Sequence, residues 1–311
     1  MSAPLISVIM PCYNAAPFVA EALGSALGQS HGNVEVIIAD DGSSDGSVEI
    51  IQRLVEAAPN RIRLLHTPRL GPFPARNAAL KLARGELVAF LDADDWWHSQ
   101  ALEMLLAGLV NQNADLAYCG WQNVGRLANT DPYIPPAYEV GDSVEAFLQT
   151  CPWPIHAALV RREVIEAVHG FSTRRFSAMD YDLWLRILAQ TQKITLVPQV
   201  LAFYRWHNAG QISANRARQV SDATDVRRDF VAGHPELVAH LDETKIRKLI
   251  FGPMLSEAYT AFWKRDLVTA QKLFRKILRY GYYRSGDLKY IVPAFLPARM
   301  FGWLVHFVGC K

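Results

Sequence analysis

The feature that most constrains this chain is the regular exchange of strand and helix patterns across its first 120 residues. Leu5–Met10 is an apolar β run that stops at Pro11. Helical spacing follows through Phe18, Leu23 and Leu27, and Val34–Ala39 reads as a second buried strand. A helix is expected from Asp45 to Ala57, with Val48, Ile51, Leu54 and Val55 on one face. Arg61–His66, Glu86–Leu91 and Asp115–Cys119 read as further strands, interleaved with helical Ala75–Ala83 and Leu102–Val110. Alternation of this kind predicts an α/β layer with a mixed, mainly parallel sheet flanked by helices. In such sheets ligands bind beyond the carboxyl ends of the strands. Those ends carry Pro11-Cys12-Tyr13-Asn14, Asp40-Asp41-Gly42-Ser43 and Asp92-Ala93-Asp94-Asp95.

The remainder is less regular. Residues 125–141 read as a loop. Ile155–Val160 is strand-like, Arg161–Val168 and Asp180–Ala189 are helical, and Ile194–Val197 and Val200–Arg205 are two short strands. After Gln211 the pattern is mostly helical, which places a boundary between residues 1–215 and 216–311. Ala258–Leu278 spaces its Ala and aromatic residues like a tetratricopeptide unit, but one unit reads better as a plain helical hairpin.

Half of the 311 residues are hydrophobic, which excludes a disordered chain. Four scattered cysteines without a CxxC pair suggest neither a zinc knuckle nor a redox motif, and fit a reducing compartment. The N-terminus has no basic segment before its apolar run, so a signal peptide is not expected, and no uninterrupted apolar stretch of membrane-spanning length appears. The expected location is the cytoplasm. The net charge of +2 hides an asymmetry: residues 245–311 hold 13 basic and 3 acidic side chains, against 19 and 27 elsewhere. That suggests two surfaces with different partners.

The acids at the strand ends carry the chemistry. Asp92, Asp94 and Asp95 offer hard oxygen ligands suited to Mg²⁺ or Mn²⁺, and so short a cluster suits a metal–diphosphate site better than a closed cage. The plainer reading is a capping cluster, with Asp95 opening the next helix. Gly42 allows a tight turn and Ser43 to Asp45 suit a helix cap, yet capping leaves two acids at a strand tip unexplained. Asn14 fits an N-cap or a ligand contact; Tyr13 fits packing or stacking on a base; Arg76 fits a surface arginine or one reaching a phosphate. Asp180 and Asp182 open a helix, where acids complement the dipole, while Asp180 also suits a general base. His207 ends a strand among polar residues, where a structural histidine is the commoner case.

Five segments in order resemble the family 2 glycosyltransferases, which have the GT-A fold. They are SVIMPCYNAAPFVAEALGSALGQS, VEVIIADDGSSDGS, PARNAALKLARGELVAFLDADDWW, HGFSTRRFSAMDYDLWLRIL and FYRWHNAGQIS. The resemblance implies an inverting transfer from a nucleotide-sugar, UDP-linked by first expectation with GDP and dTDP open, to a glycan or lipid-linked acceptor, in bacterial cell-surface polysaccharide or glycoconjugate synthesis. It implies that Pro11, Tyr13 and Asn14 line the nucleotide pocket, that Asp41 and Arg76 lie at the base, and that Asp92 approaches the ribose. Asp94 would ligate Mn²⁺ or Mg²⁺, His207 would lie near the metal or diphosphate, and Asp180 would be the catalytic base. The family usually has Glu-Asp where this chain has Met179-Asp180.

The basic tail lies outside the resemblance. Lys272, Arg275, Lys276 and Arg279 share a helical face opposite Leu273, Phe274, Ile277 and Leu278, followed by aromatic, apolar Tyr290–Cys310. Peripheral contact with an anionic membrane and a helical pair with a solvated basic face both fit. Three rival functions are an Asp-x-Asp phosphatase, a Rossmann dehydrogenase and a degenerate sugar-nucleotide-binding module. The Trp after Asp94-Asp95, the lack of GxGxxG and the intact acids weigh against them in turn. Nucleic-acid binding lacks any accompanying motif.

Overall fold

The computed structural model of the chain describes residues 3–125, 130–174, 176–206, 215–297 and 300–301. They divide into two compact units. The first holds the residues up to 146 with 151–174 and 179–206; the second holds 147–150, 176–178 and the helices from 215 onward.

The first unit is built on a mixed sheet. Strands β1 (Ile6–Cys12), β2 (Val34–Asp40), β3 (Ile62–His66) and β4 (Leu87–Phe90) lie parallel in the order β3-β2-β1-β4. They are joined through helices α1 (Val19–Leu27), α2 (Ser47–Ala57) and α3 (Pro72–Leu80). β2 is buried along its whole length, as a central parallel strand covered on both faces must be. That burial includes Glu35. Its carboxylate accepts hydrogen bonds from Ser7 Oγ at 2.6 Å, Arg84 Nε at 2.9 Å and Arg63 Nη2 at 3.0 Å, so the buried charge is paired.

Beyond β4 the direction changes. The chain forms β5 (Trp96–Trp97), α4 (Ala101–Asn111), β6 (Leu116–Val124), β7 (Pro132–Tyr133) and α5 (Ser143–Gln149). It continues through β8 (Ala158–Arg161), α6 (Arg162–Ala167), α7 (Met179–Gln190) and β9 (Ile194–Arg205). β8 inserts antiparallel between β4 and β6, while β6 and β9 run parallel. The sequence reading therefore holds for the parallel half and needs correcting for the rest. The segment Ile155–Val160 is a 3-10 turn, Ile155–Ala157, followed by strand. The two short strands expected at 194–205 are one strand, whose register shifts around Gly120. A side chain there would meet Tyr133 O at 2.7 Å, so only glycine fits the bulge. β7 falls inside the segment read as loop, and pairs Tyr133 with Trp121.

The second unit is helical: α8 (Arg216–Gly233), α9 (Pro235–Val238), α10 (Glu243–Trp263), α11 (Leu267–Tyr280) and α12 (Leu288–Ile291). Asp242 caps α10 by accepting from Lys245 N, Asp266 caps α11 by accepting from Thr269 N, and left-handed Gly281 ends α11. The core joins Ala258 and Phe262 of α10 to Ala270, Leu273, Phe274 and Ile277 of α11. Ala258–Leu278 is thus a helical hairpin. The expected basic stripe on α11 is only partly free, because Arg275 Nε donates to Ala294 O at 2.6 Å and its guanidinium covers Phe295. No helix among the described residues is long and apolar enough to cross a membrane.

Candidate functional site

Strand register decides which residues meet. Cys12 of β1 pairs with Asp40 of β2, and Ile9 with Phe90 of β4. The three strands therefore deliver Tyr13-Asn14, Asp41 and Asp92 to one edge of the sheet, beyond their carboxyl ends.

The loops after β1 and β2 are stitched together. Asn14 adopts a left-handed conformation at φ 48°. Its N–H donates to Ser43 Oγ at 2.9 Å, and its Oδ1 accepts from Ser44 N at 2.9 Å. Ala15 N donates to Ser47 Oγ and Ala16 N to Asp45 Oδ2. Asn14 is consequently no N-cap, since α1 begins only at Val19. Ser43 and Ser44 also bond across the loops rather than capping α2. Tyr13 is 43% exposed, with the Arg69 guanidinium 4.9 Å over its ring, so it is surface-facing rather than packed in the core. Pro11 sits in β1 opposite Ala39.

Asp41 is buried and engaged by its own chain. Oδ1 accepts from Thr67 Oγ1 and Leu70 N, and Oδ2 from Gly71 N, each at 2.7 Å. The carboxylate thus shapes residues 67–71, at the entry to α3. Asp40 beside it keeps Oδ1 buried with no partner among the described residues.

Arg76 is not a surface arginine. It is 2% exposed, ion-paired with Asp92, 2.8 Å from Met179 Sδ, and stacked over Phe171 at 5.4 Å. Phe171 packs edge-on against Phe90 at 5.0 Å, and both its backbone groups are held by the Asn77 side chain at 2.8 Å. The Ala-Arg-Asn segment and the His-Gly-Phe segment are one packed unit. Sequence reasoning missed Asn77, for which only its place beside Arg76 was a signal.

Asp180 lies in the first turn of α7, next to the Met179 that Arg76 touches. Its Oδ1 is sealed from solvent without a partner among the described residues, while the Ile155 N–H favours the ionised form. Burial pushes its pKa up to about 6; Arg76 opposes the rise and Asp92 adds to it. Asp182 does ordinary helix work, pairing with Arg186 at 2.7 Å.

The acidic loop gathers one oxygen each from Asp92, Asp94 and Asp95 within 4.8 Å of one another. Asp95 opens no helix. It is 1% exposed and accepts from Arg205 N at 2.8 Å, while Asp94 O accepts from Arg205 Nε at 2.8 Å. Burial, then Asp94 and Asp92, hold the Asp95 carboxyl well above the usual range. Asp92 and Asp94, both part-exposed and crowded by buried Asp95, are hard oxygen donors that fit a divalent cation, which would relieve the repulsion. His207 lies outside the described residues.

Sequence reasoning also missed His156. Its ring is fully buried, 3.2 Å from Asp95 Oδ2 though not aligned as an ideal hydrogen bond, and stacked on Tyr204. Burial lowers its pKa to about 4, so the ring is neutral at pH 7. Trp97 Nε1 donates to its carbonyl at 2.7 Å. A histidine between two apolar runs offered no pattern to find it by.

The chain is similar to known glycosyltransferases. An uncharacterized glycosyltransferase of Nostoc sp. is 29% identical over 308 residues, covering 94% of each chain. The Escherichia coli UDP-Glc:alpha-D-GlcNAc-diphosphoundecaprenol beta-1,3-glucosyltransferase WfaP is 28% identical over 236 residues, 75% of this chain and 90% of its own. Among solved structures, Staphylococcus aureus TarS in complex with UDP-GlcNAc superposes with a TM-score of 0.69 at 20% identity, covering 98% of this chain and 87% of that one. This likeness establishes a shared fold. The Glycosyl transferase family 2 model matches residues 7–181, the span that carries every strand-end acid and Asp180, and the chain belongs to that family of glycosyltransferases.

Proposed function

We propose that this enzyme moves a sugar from a UDP-sugar to a hydroxyl of a lipid-linked glycan acceptor, with inversion, in bacterial surface-polysaccharide assembly. One observation carries the reading: buried Arg76 is ion-paired with Asp92 of the acidic loop and touches Met179, the residue before Asp180, so the acidic loop and the buried carboxylate are drawn to one place.

In this reading Tyr13 offers an exposed face to the base, and Pro11 and Asn14 set the position of that face. Asp41 works at the base end by holding residues 67–71, and Arg76 works through Asp92, which faces the ribose. Asp94 and His207 would hold Mn²⁺ or Mg²⁺, which supplies charge neutralisation on the departing diphosphate. Asp180 takes the proton of the acceptor hydroxyl. A base with a pKa near 6 is mostly ionised at pH 7 yet more basic than a free aspartate, the compromise general-base catalysis favours. Attack opposite the leaving group inverts the anomeric centre. The relatives support the donor and acceptor classes: the WfaP name specifies UDP-Glc and a diphosphoundecaprenol acceptor, and TarS binds UDP-GlcNAc.

Residues 1–215 are the catalytic domain in this proposal, with 216–311 as an accessory region. The helical unit exposes Trp263, Val268, Val292, Phe295 and Met300, with Lys264, Lys272 and Lys289 also exposed. Apolar and basic groups together suit peripheral contact with the anionic, cytoplasmic face of a membrane carrying such an acceptor.

Calorimetry with UDP, GDP and dTDP, each with and without Mn²⁺, tests the donor. Metal-dependent binding of UDP that Asp94→Ala abolishes is expected. Failure of all three nucleotides to bind would overturn the reading. Proton NMR of the product's anomeric configuration tests inversion.

A further inference from the structure

The 3-10 turn Ile155–Ala157 touches both halves of the site. Its Ile155 N–H lies on the Asp180 side, where it favours the ionised carboxyl. The His156 carbonyl accepts from Trp97, in the strand that follows the acidic loop. The His156 ring meets Asp95 Oδ2 on one side and stacks within 14° of the Tyr204 ring plane on the other. Asp95 in turn anchors the Arg205 N–H, and Arg205 binds the Asp94 carbonyl, Glu21 and the faces of Phe18 and Trp96. Asp95 is too deeply buried to face a ligand as Asp94 and Asp92 do.

We infer that His156 is a positioning residue: through Asp95 it fixes the acidic loop in the shape that presents Asp94 to the metal–diphosphate, and through its own carbonyl it holds Trp97, in the strand that follows that loop. This rests on the metal-dependent nucleotide site proposed above. The physical reason is simple. A loop carrying three carboxylates within 4.8 Å tends to spring open, and something must hold it. The His156 ring, 3.2 Å from Asp95 Oδ2 and stacked on Tyr204, is placed to restrain the Asp95 carboxyl by close packing and polar contact. Outer-shell partners of this kind typically change metal affinity by roughly 10–100-fold.

The test is calorimetry of Mn²⁺-dependent UDP binding on the full chain, for wild type, His156→Leu, His156→Asn, Asp95→Asn and the Asp95→Asn/His156→Leu double variant. Circular dichroism confirms that each is folded. His156→Leu should weaken binding by about 10–100-fold. His156→Asn keeps a polar group near the Nδ1 position and should recover part of the loss. In the Asp95→Asn background His156→Leu should cost little more, because the two residues act as one unit. Wild-type-like affinity in a folded His156→Leu would overturn the inference while leaving the transferase reading intact. So would equal, additive losses in both backgrounds. If His156→Leu does not fold, the Asn variant decides: affinity indistinguishable from Asp95→Asn supports the pairing, and affinity equal to wild type with Asp95→Asn also at wild type overturns it. Absence of Mn²⁺-dependent UDP binding in wild type would instead remove the site itself and this inference with it.

Discussion

The two halves of the site differ in how their polar groups are satisfied. On the nucleotide side, Asn14, Asp41, Ser43, Asp45 and Ser47 bond one another or the local backbone, and Asp40 Oδ1 is the one buried oxygen among the strand-end residues described there without a partner. On the acidic-loop side, Arg76 Nε, Asp95 Oδ2, both His156 ring nitrogens and Asp180 Oδ1 are buried without a well-formed hydrogen bond among the described residues. Buried polar groups in folded proteins are ordinarily satisfied, so a concentration of exceptions marks a place where stability has been given up for function. The first half is a preformed cradle. The second concentrates buried polar groups around Arg76, Asp95, His156 and Asp180.

The sharpest way to break this contrast is Asp180→Asn. On the reading above it lowers kcat by about 10²–10⁴-fold, as removal of a well-placed base does. It should also stabilise the fold. A carboxyl whose folded pKa is raised to about 6 contributes stability that is fully present below its unfolded value and is lost as pH rises through about 6. The melting temperature of the variant should therefore exceed wild type at pH 8 and converge with it near pH 4. A variant that is inactive and less stable at pH 8 would make Asp180 a structural residue.

Asn14→Ala probes the other half. It removes the Oδ1 bond from Ser44 N and puts alanine at φ 48°, which together should cost about 1–3 kcal/mol. Urea denaturation would show it, with nucleotide KM rising and kcat nearly unchanged. A loss confined to kcat would contradict the cradle view.

The acid limb of kcat/KM should have its midpoint near pH 6, with activity falling below it as Asp180 is protonated. Met179→Glu sharpens this. A carboxylate at the position of Sδ would pair with Arg76 and weaken its hold on ionised Asp180, so the limb should move to higher pH. Unchanged profiles would mean that Arg76 does not tune the base.

The smallest expected effect concerns the helical unit. Exchanging Lys264, Lys272 and Lys289 for Gln should reduce cosedimentation with vesicles of anionic lipid, more at low than at high salt, without changing UDP affinity.

Much of this was legible in the chain itself. Apolar runs and helical spacing are local, so β1, β2 and β4, and the acids at their tips, could be placed from residues 5–95 alone. Asp92 and Asp94 stood out because three carboxylates in four positions are costly without a purpose. Non-local pairings have no period in the chain, and these only the tertiary structure decided. β8 enters between β4 and β6 against the parallel direction. Asp95 is consumed by the N–H of a residue 110 positions later, Asn77 by the backbone 94 positions later, and Asp41 by a loop about 30 positions later. Which acid stays available to a ligand, and which is used up holding the site in shape, depends on hydrogen bonds that form only when distant strands are brought side by side. Arg76 and His156 took their meaning the same way, because burial and neighbouring charge belong to the packed fold and to no stretch of sequence.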